Sequence, residues 1–197
     1  MKKVKAGLVT AWGECGMGYI AKNWVYTFEK FKDKIEYQIY SRAQAWLTPF
    51  RWHGENVVEG PEDMNIDVPS FWKWIDDFKP DILFFQDQNT YGKTGMKKET
   101  EIFRKLGIKT INYPDWILKD GLKSHRGLYD VNLAHTKRNY KWIKEAGLSN
   151  PTYIKWGVIL KNFPFRKRIP QEKVIFYINL GSGGKHKGYY LIPSAIR

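Results

Sequence analysis

The chain is 197 residues long, 43% hydrophobic and 16% aromatic, with nine Trp and a formal charge of +13. That apolar content excludes a disordered chain, which would lack the surface to offset its ordering entropy. No apolar run reaches the ~18 residues of a membrane span. The "MKKV" start imitates a signal-peptide n-region, but Lys5 and Glu14 leave no apolar h-region behind it. A single cysteine, Cys15, rules out an internal disulfide and a cysteine-based zinc site, so a cytoplasmic location is expected.

In chain order, short apolar strands alternate with amphipathic stretches. "VKAGLVTAW" (4–12) reads as a first buried strand, 17–31 as a helix, and "IEYQIYSR" (35–42) as a second strand. The segment 43–65, with Pro49, Gly54, Gly60 and Pro61, reads as a loop holding one short strand. In "VPSFWKWIDDFKPDILFF", Phe71, Trp74, Ile75 and Phe78 fall at i, i+3, i+4 and i+7 on one helix face. Pro69 suits the helix start and Pro80 its end; "DILFF" (81–85) follows as a buried strand. "MKKETEIFRKLG" predicts a helix carrying Ile102, Phe103 and Leu106 and closed by Gly107, leading to the strand "IKTINY" (108–113). Then come strand 129–136, the helix "KRNYKWIKEAG" closed by Gly147, strand 152–156, and a linker over 157–172 with Pro164, Pro170 and "RKR". Strands separated by helices of this length predict a Rossmann-like, doubly wound α/β domain with a parallel sheet. Residues 1–156 make that domain. The strand "KVIFYINL" and the helix-like "KGYYLIPSAI" within 173–197 read as the start of a second, incomplete domain.

Ligands in such sheets bind at the carboxyl ends of the strands, so the residues after each strand are the candidates. They include Trp12 after the first, Asp87 after "DILFF", Asp115 and Trp116 after "IKTINY", and His135 after "VNLA". Aromatic faces beside carboxylates and amides suit a sugar, which offers an apolar face and a rim of hydroxyls; the alternative is that these are ordinary polar loops. "GECGMG" gives Gly13, Gly16 and Gly18 the spacing G-x-x-G-x-G, which is not the dinucleotide fingerprint. Glycines there let a ligand approach the backbone and a helix N-terminus, or make a tight turn with no ligand. "GSGGKHKG" repeats the design, with Gly183 and Gly184 freeing backbone N–H groups for an anion and Lys185 and Lys187 adding charge. Nine basic residues against Glu172 alone place +8 of the net charge in 151–197. That bias suits a phosphate-bearing partner, or is simply a solvated surface. Scattered histidines without a cysteine partner predict no metal site.

The ordered set resembles the N-terminal half, plus the first strand and loop of the C-terminal half, of a retaining glycosyltransferase of the GT-B fold, the group 1 or family 4-like kind. It comprises the glycine loop after the first strand, "KPDILFFQ", "FRKLGIKTINYPDW", "YDVNLAHTKRNYKWIKEAGL", "IKWGVILKNFPF" and the final strand–glycine loop–"KG"–helix. The resemblance implies metal-independent transfer of a sugar, with retention, from a nucleotide-sugar co-substrate and with no other cofactor. Gly16 and Gly18 would then face the donor phosphates, Gly183, Gly184 and Lys187 would hold the diphosphate, and Asp115 would be the catalytic candidate. Trp12, Asp87, Trp116 and His135 would contact a carbohydrate, lipid-linked or protein acceptor. Ser182 stands where the family often carries a basic residue, and there is no D-x-D cation motif. Most of a donor domain, including the family's acidic E-x7-E region, is absent, so the expectation is an N-terminal piece of a longer protein. Peripheral contact with an anionic membrane is a further expectation. The competing readings are a non-catalytic carbohydrate- or nucleotide-binding domain and a basic nucleic-acid-binding module; the last is disfavoured for want of a recognition motif.

Overall fold

Strand β1 (Val4–Ala11) is apolar almost throughout and is buried on both faces from Ala6 onward, as a central strand of a parallel sheet must be. The computed structural model describes residues 2–42, 50–60, 66–87, 90–91, 94–95, 97–114, 119–155, 157, 159 and 167. The chain divides into two compact units, Met1–Leu160 and Lys161–Arg197, and every described residue except 167 belongs to the first.

After β1 come α1 (Gly16–Lys30), β2 (Ile35–Arg42), β3 (Val57–Glu59), α2 (Val68–Phe78) and β4 (Ile82–Gln86). A small hairpin, β5 (Thr90–Tyr91) and β6 (Thr94–Gly95), precedes α3 (Lys97–Lys105) and β7 (Lys109–Tyr113). A 3-10 turn over Gly121–His125, β8 (Val131–Ala134), α4 (Lys137–Glu145) and β9 (Pro151–Tyr153) complete the unit. Seven strands form one parallel sheet in the order β3-β2-β1-β4-β7-β8-β9, while β5 and β6 pair antiparallel by themselves. The chain moves outward from β1 to β3 and then returns past β1 to β4, which is the Rossmann-like arrangement the sequence predicts. Because such crossovers are right-handed, the reversal puts α1 on one face and α2, α3 and α4 on the other.

The two faces have separate cores. Val9 pairs with Tyr40 and Phe85, and these pack against Phe71, Trp74, Ile75 and Phe78 of α2 and Phe103 of α3. On the other face Leu8, Ile39 and Phe84 meet Ala21, Trp24 and Val25 of α1. Local signals set the helix ends. Asp67 accepts a hydrogen bond from Ser70 N at 3.0 Å, and Thr136 Oγ1 one from Asn139 N at 3.0 Å. Lys79, in a left-handed conformation with φ 51°, ends α2 before Pro80 is reached. Gly107 and Gly147 close α3 and α4 with φ of 75° and 72°, as expected for left-handed cap positions.

One helix face differs from expectation. Phe103 is buried, but Ile102 is 42% exposed and Leu106 57% exposed. Thr100 is the other residue α3 buries, and its hydroxyl donates to Leu128 O at 2.9 Å. That bond fixes the helix rotation in favour of Thr100 and Phe103, one turn apart.

Candidate functional site

Four neighbouring strands, β1, β4, β7 and β8, end side by side at the carboxyl edge. At ~4.8 Å per strand step they span about 15 Å. Trp12 follows β1, with Gly16 and Gly18 at the start of α1; Asp87 follows β4; His135 follows β8. The order of the strands thus brings five of the sequence-predicted site residues to one edge. Asp115, Trp116, Gly183, Gly184 and Lys187 lie outside the described residues.

The two α1 glycines do different work. A Cβ on Gly18 would sit 2.0 Å from Gly13 O, so the first turn of α1 packs directly on the loop backbone. A Cβ on Gly16 would meet nothing within 4 Å. Cys15 caps the helix, its Sγ accepting from Gly18 N at 3.3 Å. Trp12 is 8% exposed and stands edge-on to Trp52, with ring centroids 5.1 Å apart; no described residue takes its indole N–H.

Beside Trp12 lies a cluster that periodicity does not reveal. Glu14 accepts from Tyr19 Oη at 2.5 Å and from Trp52 Nε1 at 2.8 Å. Lys22 Nζ lies 3.2 Å from the Trp52 ring centroid, and Tyr19 packs edge-on to Trp52 at 5.4 Å. The hydrogen bonds from Tyr19 and then Trp52 hold the Glu14 carboxyl below its ordinary pKa. Backbone bonds join the two loops, Glu14 N to Phe50 O at 3.0 Å and Trp52 N to Trp12 O at 3.3 Å. The result is a clasp of rings and charges on the exposed rim, with Tyr19 53% exposed.

A second cluster is buried. Arg42, last residue of β2 and 1% exposed, donates through Nη2 to Gln86 O at 2.5 Å. Thr10 Oγ1 donates to Gln86 Oε1 at 2.6 Å, so β1, β2 and β4 are braced at their ends. No described residue accepts from the buried Gln86 Nε2. Burial pulls the Arg42 guanidinium down to about 10, opposed first by the nearby Asp87 carboxylate, so Arg42 stays charged at neutral pH. The same burial pushes the Tyr129 hydroxyl up. Asp87 itself has φ 50°, a left-handed conformation that is costly for a side-chain-bearing residue, and its N–H donates to Tyr113 O at 3.1 Å. A non-glycine residue held this way at a strand end is a candidate for function.

Farther along the edge, the Tyr113 ring lies between Trp24 at 5.9 Å and His135 at 5.5 Å. Below it, Asn112 Nδ2 donates to His125 Nδ1 at 3.1 Å and to Asn132 Oδ1 at 3.0 Å. His125 is buried, and that burial pulls its pKa down to about 4. Among the described residues no group of three or more His, Cys, Asp or Glu could hold a metal ion, and no helix is long and apolar enough to cross a membrane.

No protein-family model matches the chain, and no curated protein sequence matches it. Solved structures do. One is an alpha-glucosyltransferase in complex with UDP-glucose and DNA containing an abasic site: 13% identity, TM-score 0.48, covering 78% of this chain and 42% of that one. Another is an alpha-glucosyltransferase in complex with UDP and a 13-mer DNA containing a HMU base: 13% identity, TM-score 0.41, covering 79% of this chain and 42% of that one. The chain therefore spans less than half the length of either protein.

The sequence reading did not single out Arg42, Gln86, Glu14 or Trp52 as site residues. Arg42 had no signal, because alternation in "IEYQIYSR" puts it on the same side as Glu36 and Gln38. Trp52 had none, because its partner Glu14 is 38 residues away on another loop.

Proposed function

We propose that residues 1–197 are the acceptor-side domain, linker (157–172) and opening of the donor-side domain (173–197) of a glycosyltransferase of the GT-B kind. The protein would move a sugar from a nucleotide-sugar to a hydroxyl acceptor with retention, using no metal and no other cofactor. What carries the reading is the convergence of Trp12, Gly16, Asp87 and His135 on the ends of three strands, β1, β4 and β8, at one sheet edge, in the order of the motifs that resemble that family. In this reading Asp87 and His135 hydrogen-bond acceptor hydroxyls, with Trp12 and Trp116 as apolar walls. The departing diphosphate gains negative charge as the glycosidic bond breaks. Lys187, Gly183 and Gly184 are the residues proposed to stabilise it. Asp115 is the catalytic candidate. The open space beside Gly16 agrees with a ligand there, whereas the close packing of Gly18 explains that glycine without one.

The test is nucleoside diphosphate release by the full gene product, isolated from its source cells and weighed intact. It is offered UDP-, GDP- and ADP-sugars with carbohydrate and lipid-linked acceptors in EDTA. Acceptor-dependent release, lost in Asp87→Ala, is expected. No release from any pair would overturn the reading.

Contact with an anionic surface has support of its own. Lys137, Arg138, Lys141 and Lys144 are exposed on α4, and Arg138 and Lys144 lie over the Trp142 and Tyr140 rings at 5.0 and 5.5 Å. We propose peripheral binding to anionic lipid through this helix. Flotation with phosphatidylserine vesicles should fall when Arg138 and Lys144 become Glu. Flotation indifferent to lipid charge, or binding confined to DNA, would sink the idea.

A further inference from the structure

Between α1 and the segment that leaves β9 lies a cavity of about 340 Å³. That is within the ordinary size of a small-molecule site. Among the described residues it shares no lining residue with the proposed sugar site. Its wall and floor are two rings, Trp24 and Tyr113, 5.9 Å apart and 78° from parallel. Both are fixed from behind, Trp24 by Phe84 at 5.7 Å and Tyr113 by His135 at 5.5 Å. A corner of two rings at near right angles accepts a flat aromatic body, face-on to one and edge-on to the other. Ile20 and Ile159 add apolar surface on either side.

The polar part of the lining comes from both walls, Asn23, Tyr26 and Thr27 on α1 and Lys155 beyond β9. Among the described residues Lys155 is its only charged residue and has no ion-pair partner. Asn23 is half-buried on the α1 side, and its amide can donate to an oxygen alongside Lys155. The Thr27 hydroxyl is already committed to Asn23 O at 2.9 Å. An apolar corner with a single uncompensated cation beside it selects an amphiphile whose polar end is negative.

We propose that this cavity binds a small molecule with a flat aromatic body and one anionic end, a phosphate monoester or a carboxylate. The ring lies against Trp24 and Tyr113, and the anion meets Lys155 and Asn23. The Tyr113 ring makes this cavity a neighbour of His135 at the strand ends, and its occupancy is read by equilibrium binding, which does not depend on glycosyl transfer.

The experiment is calorimetric titration of the 197-residue protein with 1-naphthyl phosphate, 1-naphthol, 2-naphthoate and inorganic phosphate. 1-Naphthyl phosphate should saturate one site, with 1-naphthol and inorganic phosphate each at least about tenfold weaker, since each lacks half of the recognition. Binding by 2-naphthoate as tight as by the phosphate would assign the carboxylate class, and weaker binding the phosphate class. Lys155→Ala, at an exposed position, should weaken 1-naphthyl phosphate by about tenfold, and Ile159→Trp should fill the cavity and abolish binding. The Trp24 indole N–H resonance, assigned with Trp24→Phe, should shift on titration and give a readout independent of Ile159→Trp folding. No saturable binding, an unmoved Trp24 resonance, or full affinity in Lys155→Ala would overturn the proposal.

Discussion

Arg42 and Glu14 are both charged, both stand at the carboxyl edge of the sheet, and both tie together segments distant in sequence. They differ in solvent. Arg42 is sealed from water and supports Gln86 and, electrostatically, Asp87. Glu14 accepts hydrogen bonds at 2.5 and 2.8 Å beside a nearby cation, but makes these contacts in water. Water screens a charge pair and solvates its broken halves, whereas the interior does neither. The contrast teaches that the contact list is a poor guide to what each cluster contributes, and that burial decides.

The sharpest way to break this comparison is to truncate Arg42. Arg42→Ala leaves the Gln86 carbonyl and the Asp87 charge without their buried partner, and should cost about 3–5 kcal/mol in urea unfolding. A loss as small as that of an exposed ion pair would undo the distinction. His125 gives the next largest effect. Its pKa of about 4 lies below the ordinary 6.5, so the folded state excludes a proton that the unfolded state accepts. Its stabilising contribution is complete above pH 6.5 and is lost as pH falls from there to about 4, by up to about 3 kcal/mol. Thermal melts across that window should show the slope, and His125→Gln should flatten it.

The two glycines sharpen the comparison at the backbone. Gly18→Ala must push a methyl into Gly13 O and should cost about 1–3 kcal/mol; Gly16→Ala, facing open space, should cost nothing measurable. Equal effects at the two positions would remove the case for ligand space beside Gly16. The smallest effect is expected at Glu14. Glu14→Gln should leave the urea midpoint unchanged at neutral pH, while loosening the loop that carries Trp52, seen as faster hydrogen exchange at Trp52 N.

The fold was legible because a parallel sheet with helices on both sides writes itself as apolar runs and 3.6-residue periods. The second strand matches its predicted limits of 35–42, and the α2 face of Phe71, Trp74, Ile75 and Phe78 is buried as expected. The hairpin of β5 and β6 was not legible, since two residues per strand are too few to alternate. Nor was the rotation of α3, where a threonine bond to Leu128 O displaced Ile102 and Leu106 to the surface. At the candidate site, strand ends were legible through the topology rule, which is how Asp87 and His135 were singled out. The Arg42 brace and the Glu14 clasp were not, because each joins loops or strands tens of residues apart, and such pairings leave no local pattern.

The position of β1 has a consequence for how the protein is made. Its outer neighbours are β2 on one side and β4 on the other, and the brace that ties it to β4 joins residues 76 apart. At roughly 5–20 residues per second, β1 leaves the ribosome several seconds before β4 exists. Until then its β4-facing edge is an apolar strand with unpaired backbone groups, the kind that pairs with another chain. A strand enclosed between two neighbours in the finished domain is thus open along one edge in the nascent chain, with Lys2, Lys3 and Lys5 at its start to oppose edge-to-edge pairing.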